Sequence, residues 1–294
     1  MPKTQPDPAS SLERHRDPSD GAAARGDELF SFAWLGLLRS SDERRADAGT
    51  ADMFDRLAKT AAPENWDGLG PGTAGSLAVL KNYVARAFDQ ALAQEAVPMD
   101  ADAQLCVFNT GLVSPRNEDI YGLFEANLMP DKQPWFLKGW RTAGVHQLSV
   151  FAELPEPPSY SADPYEYFFD WNMPLSFSAQ IFSREISRLL PGAGQEMPYG
   201  LELALNAAVT SARTLAQRNP GTAVPMWHAQ KREIQLLLPL YLVTPEVPTA
   251  ALAISRGDAS YLGVGVLSLE DAYAAARLVA RPSARWLALR TQPS

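Results

Sequence analysis

The chain predicts an α+β fold: mostly antiparallel sheets built from hairpins, packed with several helices. Three observations predict it. Short aromatic or β-branched runs recur between turn residues, among them "QLCVFN", "IYGLFEA", "WFLKGW" and "EIQLLLPLYLV". Segments with apolar residues three and four apart are interleaved with these runs. The strand candidates are separated by hairpin distances rather than by regular strand–helix–strand spacing, which favours α+β over a parallel sheet.

Composition supports a packed body. Of 294 residues, 46% are hydrophobic and 20% charged, enough apolar material for a sizeable core. No run approaches the roughly 20 apolar residues that a membrane helix needs. Residues 1–27 are rich in Pro, Asp, Ser, Ala and Gly, lack an apolar signal stretch and are expected to form a disordered tail; export is not expected. Behind the tail, residues 28–290 read as one α+β domain. The single cysteine, Cys106, has no internal disulfide partner, which fits a reducing, cytoplasmic compartment, and its place in "LCVF" predicts a buried structural thiol. A net charge of -8 argues against broad binding to duplex DNA, which needs many cationic phosphate contacts. The charge is uneven: from Leu201 onward nine Lys/Arg face six Asp/Glu, or +3, and the remainder is -11.

In chain order, Met53, Leu57 and Ala61 fall at i, i+4, i+8 and predict a short helix. "PENWDGLGPGTAG" reads as a loop. Leu77, Leu80, Val84, Phe88 and Leu92 lie on one stripe of a helix over about 76–95. Strands follow at "QLCVFN", "IYGLFEA", "WFLKGW" and "HQLSVFA". Five prolines mark residues 152–164 as a connection, and the aromatic "YEYFFDWNMPLSF" after it is expected to be buried. Two helices are expected near 179–190 and 199–218, then strands at "AVPMWH", "EIQLLLPLYLV", "TAALAIS" and "YLGVGVL". Ser268 and Asp271 form an approximate cap for a final helix. No internal repeat is evident in the sequence.

Several polar groups invite a functional reading, each beside a structural one. Asn109, Thr110 and Gly111 end an apolar strand. The amide and hydroxyl can shape the turn, with Gly111 permitting a positive φ, or can bind a base edge or phosphate. Glu118, Asp119 and Glu125 are then general-base or metal-ligand candidates, with Mg²⁺ as the possible cofactor. In "QPWFLKGW", alternation places Trp135 and Leu137 on one face and Lys138 with Trp140 on the other. Trp135, Trp140 and Lys138 can stack on and neutralise a nucleotide, or the tryptophans can be core with Lys138 reaching outward. Asp163, Glu166 and Asp170 share a face only if their segment is helical. His228 sits in a turn with Lys231 and Arg232, where it can be an acid or base or simply be solvated. Gln235 lies inside an apolar strand, so its amide needs a buried partner. Tyr273 and Arg277 share a face of the last helix, with the guanidinium able to reach a phosphate or a carboxylate.

The stretches "VFNTGLVSPRNEDIYGLFEAN", "QPWFLKGW", "TAVPMWHAQKREIQLLLPLYL" and "VLSLEDAYAAARLVARP" resemble the domain of unknown function 3825. The resemblance runs from about Leu29 to Leu289. It implies bacterial origin and an association with RNA, because such domains occur beside cold-shock-type or LOTUS-type modules. It also implies an Asn before the Arg of the last helix, where this chain has Ala275-Ala276-Arg277.

The P-loop, dinucleotide, H-E-x-x-H and C-x-x-C signatures are absent. The expectation is therefore a protein that binds, and as a phosphodiester- or nucleotide-processing hydrolase would cleave, a nucleotide or RNA end. Glu118, Glu125 and His228 are the catalytic candidates. Asn109, Thr110, Gly111, Trp135, Lys138, Gln235, Tyr273 and Arg277 are the binding candidates. The alternative is a non-catalytic protein-interaction module in an RNA-associated complex.

Overall fold

A computed structural model describes residues 28–35, 53–67, 75–129, 132–189 and 198–287. The expected tail, residues 1–27, and the centre of the glycine-rich loop lie outside the described residues. The chain forms two compact units, residues 1–158 and 159–294, and passes from one to the other within the proline-rich connection. Each carries its own sheet and helices, as an α+β fold requires.

The first unit runs α1 (Glu28–Phe32), β1 (Ala33–Trp34), α2 (Met53–Thr60), α3 (Ala78–Ala93), β2 (Leu105–Val113), β3 (Asp119–Ala126) and β4 (Trp135–Thr142). Strand order is β1-β4-β3-β2, an antiparallel meander with a two-residue parallel strand at one edge. The apolar stripe of α3 buries Leu80, Val84 and Phe88. Phe88 meets the rings of Phe108 at 5.0 Å and Phe124 at 6.0 Å, so the helix covers the sheet face those strand residues share. Val107, Tyr121 and Leu123 alternate onto the opposite face, where Leu148 and Phe151 cover them. The segment "HQLSVFA", expected as a strand, is instead a 3₁₀ turn over His146–Leu148 followed by turns; it supplies this cover and not a ladder.

Alternation along β4 is broken by a bulge. Leu123 pairs with Gly139 and Phe124 with Leu137, so Lys138 is the extra residue. Its insertion reverses the parity of the residues after it. Trp140 therefore returns to the face of Trp135 and Leu137, correcting the expectation that the two tryptophans point oppositely. Both are buried, and the Trp140 indole donates to the Met53 carbonyl at 2.7 Å.

The second unit runs β5 (Leu175–Ser176), α4 (Ala179–Leu189), α5 (Pro198–Arg218), β6 (Val224–His228), β7 (Glu233–Leu240), β8 (Ala250–Arg256), β9 (Tyr261–Leu267) and α6 (Leu269–Val279). Strand order is β5-β9-β8-β7-β6, again a meander with a short parallel edge strand. Leu236, Leu238, Leu240, Leu252 and Ile254 pack against Phe182, Ile186, Leu205 and Val209 of α4 and α5. α6 packs on β6, and the Ser268 hydroxyl caps it by accepting from the Asp271 amide. The aromatic stretch before β5 is mostly exposed: Tyr165, Phe168 and Trp171 face solvent and only Phe169 is buried, because Pro164–Tyr167 is a short 3₁₀ turn with no buried residue.

Candidate functional site

Gln235 lies on β7, opposite Met226 of β6. Alternation puts it on the sheet face away from α4 and α5, with His228, Glu233, Leu237 and, across the ladder, Ala253. Ala253 pairs with Gly265 of β9, so two small residues stand side by side on the same face as the amide. Their size leaves a cavity of about 490 Å³ bounded by Gln235, His228, Lys231, Met226, Ala253, Gly265, Leu267 and, around the β9 edge, Glu185 and Leu189. That volume is in the usual range for a small-molecule site.

The polar groups of the cavity are held in fixed roles. The Gln235 side-chain nitrogen donates to Glu233 Oε1 at 2.7 Å, and the Ser255 hydroxyl donates to the same oxygen at 3.2 Å. An ionised carboxylate only accepts, so the amide cannot be turned over without losing this bond. Its oxygen is consequently presented elsewhere, and Gln235 Oε1 is a buried acceptor with no hydrogen-bond partner in a residue only 1% exposed. Leaving such a group unpaired costs about 1–3 kcal/mol. Lys231 Nζ stands 3.8 Å from Glu233 Oε1 and remains half exposed. His228 Nδ1 accepts from the Lys231 backbone amide at 3.2 Å, so a neutral ring carries its proton on Nε2. Glu185 Oε2 accepts from the Val266 amide at 3.1 Å, closing part of the open edge of β9. The pocket thus offers a ring donor and a cation on its wall, beside a Gln235 side chain whose oxygen is buried and without a hydrogen-bond partner.

The structure brings together two of the expected site residues, Gln235 and His228. Lys231, expected only as a neighbour in the turn, joins them, and Ala253, Gly265 and Glu185 complete the wall; no local signal marks those three. The remaining expectations fall elsewhere. Asn109 and Thr110 are buried and engaged with their own unit. The Asn109 amide donates to Asp119 Oδ2 at 3.3 Å and the Pro155 carbonyl at 3.2 Å and accepts from the Gly111 amide, while Thr110 donates to the Ile120 carbonyl at 2.6 Å. Gly111 has φ +70°, and a Cβ there would stand 2.6 Å from the Tyr83 hydroxyl. Glu118 accepts from the Ser114 hydroxyl at 3.1 Å in the β2–β3 turn. Glu125 pairs with Lys138 at 3.1 Å on the surface of the first unit. Trp135 is fully buried with its ring stacked on Phe32, 5.7 Å between centroids. Tyr273 and Arg277 are buried on α6 in the second unit.

Tyr121 donates to Asp119 Oδ2 at 3.4 Å; burial first, and then the Asp119 charge, push its phenol up to about 12. Burial, with a smaller contribution from Asp100, raises the Cys106 thiol well above its usual range, which fits the structural thiol expected of it. Asp163, Glu166 and Asp170 do not gather, since their segment is a single 3₁₀ turn in which Asp163 caps the Tyr165 amide. Among the described residues no three His, Cys, Asp or Glu side chains form a metal-binding group, and no helix is long and apolar enough to cross a membrane.

The family described as Domain of unknown function (DUF3825) matches residues 57–286. No curated protein and no solved structure matches the chain.

Proposed function

Because the chain belongs to the DUF3825 family, whose description assigns no activity, we propose its function from the pocket of the second unit: it binds a nucleotide, free or at an RNA end, in the cytoplasm. The observation that carries this reading is a cavity of small-molecule size lined by Gln235, whose buried oxygen has no partner and in this proposal accepts a ligand N–H or O–H. An exocyclic amine or a ribose hydroxyl supplies one. His228 Nε2–H and the Lys231 ammonium are then donors for a phosphate, and the apolar wall of Met226, Ala253 and Leu267 accepts the flat body of a base. His228 is the one expected acid–base candidate within the pocket, and in this proposal it orients the ligand.

The test is calorimetric titration and thermal unfolding of the full chain with nucleoside monophosphates and short RNAs. A ligand at 100 times its dissociation constant stabilises the protein by about 2.7 kcal/mol. Affinity is expected to fall with added salt, and Lys231→Ala is expected to flatten that dependence. Absence of heat and of any unfolding shift with every nucleotide and RNA tested would remove the proposal.

A further inference from the structure

We propose that the two units are copies of one module, and that only the second keeps an open ligand pocket. In each, a two-residue strand is followed by two helices and an antiparallel meander, and the first strand lies parallel against the last: β1 on β4, β5 on β9. The agreement extends to individual residues. Ala33–Trp34 pairs with Trp135–Phe136, and Leu175–Ser176 with Tyr261–Leu262. Two residues past each parallel pair, the last strand carries one unpaired extra residue, Lys138 in one unit and Val264 in the other. The aromatic residue opening each last strand is fully buried and stacks on a phenylalanine that precedes the edge strand: Trp135 on Phe32, Tyr261 on Phe169 at 5.0 Å. Even the rudimentary bridge Met99–Cys106 stands where β6 pairs with β7, and the tetrapeptide Ala-Val-Pro-Met enters both meanders, at 96–99 and 223–226, one residue out of step with the ladder. Strand order alone can converge; a bulge shared at the same position relative to the parallel pair is much harder to obtain twice by chance.

Matching the bulges equates Leu123 with Ala253, Tyr121 with Ala251, Val107 with Leu237 and Leu105 with Gln235. In the first unit this face holds large apolar side chains sealed by Leu148 and Phe151. In the second, Ala253 and Gly265 line a cavity together with Gln235, while Ala251 and Leu237 are fully buried. Identical topology thus produces a packed scaffold in one copy and a pocket in the other, the difference residing in side-chain volume. The pocket half of this inference rests on the binding reading above; the equivalence of the units does not.

The experiment writes each unit's residue into the other in the full chain, as Gln235→Leu and Leu105→Gln, and reads thermal unfolding and binding of a nucleoside monophosphate. Gln235→Leu removes an unpaired buried oxygen and installs the residue its counterpart already accommodates, so the unfolding midpoint holds or rises while binding weakens at least tenfold. Leu105→Gln lowers the midpoint and leaves binding unchanged. A midpoint that falls as far for Gln235→Leu as for Leu105→Gln overturns the equivalence. Unchanged binding in Gln235→Leu overturns the assignment of the pocket to the second copy. If wild type binds no nucleotide, the nucleotide reading alone fails, and the two midpoints still decide the equivalence.

Discussion

Glu233 holds the Gln235 amide nitrogen at 2.7 Å, and this bond decides which amide atom is left without a partner. The two side chains lie two residues apart on one strand and therefore on one face. Replacing the carboxylate by an amide removes the acceptor-only partner, so Glu233→Gln lets Gln235 turn over. The expected result is ligand affinity reduced by up to about tenfold, the value of one hydrogen bond, with little change in unfolding temperature. Calorimetric titration beside a melting curve checks both.

Gly265 faces open space, with no atom within 4 Å of where a Cβ would stand. Gly265→Val is therefore expected to keep the fold and shrink the cavity from its β9 wall. The signature is weaker binding at an unfolding midpoint within about 0.5 kcal/mol of wild type, as for other strain-free substitutions.

Gly122 in the first unit behaves oppositely. A Cβ there would stand 2.5 Å from the Phe108 ring and 3.1 Å from that of Trp140. Gly122→Ala is expected to cost about 1–3 kcal/mol through overpacking, measured by denaturant unfolding. An unchanged midpoint would mean that the aromatic cluster yields freely.

Alkaline stability reports on Tyr121. Its phenol titrates near 10 when free and about 12 in the fold, so the neutral form is the one the fold favours. The resulting stability is fully present below pH 10 and is lost as pH rises towards 12. Tyr121→Phe is expected to flatten that part of the stability–pH curve and to remove a late-titrating component from the phenolate absorbance of wild type.

Cys106 is fully buried and its thiol is raised by desolvation, then by Asp100. A thiol reagent at neutral pH should label it only at the rate of unfolding, and denaturant should abolish the protection. Fast labelling of the native chain would show that β2 opens locally.

Much of the architecture is legible in the linear pattern. The runs "QLCVFN", "IYGLFEA", "EIQLLLPLYLV", "TAALAIS" and "YLGVGVL" each fall on a strand, since short apolar runs between turn residues must find a covered face. Ser268 and Asp271 marked the start of the last helix because capping is a local interaction. The family was legible as well, its motifs being contiguous stretches. Gln235 could be singled out because an amide in an apolar strand is conspicuous on any fold.

Other features depend on residues distant in sequence. The parity of β4 could not be read from "WFLKGW", since a bulge is defined by the partner strand and only pairing with β3 reveals it. The two-residue parallel strands are too short to carry a periodicity. "HQLSVFA" has strand composition but became a cover, because Leu148 and Phe151 bury on the face of Val107 and Leu123. The proposed repetition leaves only the tetrapeptide at 96–99 and 223–226 in the sequence, because packing constrains volume and register, not identity.

What the sequence by itself determined is most of the longer strands and helices, the family, and the presence of one apolar-strand amide requiring a partner. Only the tertiary structure decided that this amide lines a cavity with its oxygen left unpaired, and that Asn109 and Thr110 spend their polar atoms on groups of their own unit. The physical reason is that periodicity and capping act over a few residues, whereas a cavity is the volume left between side chains on separate strands.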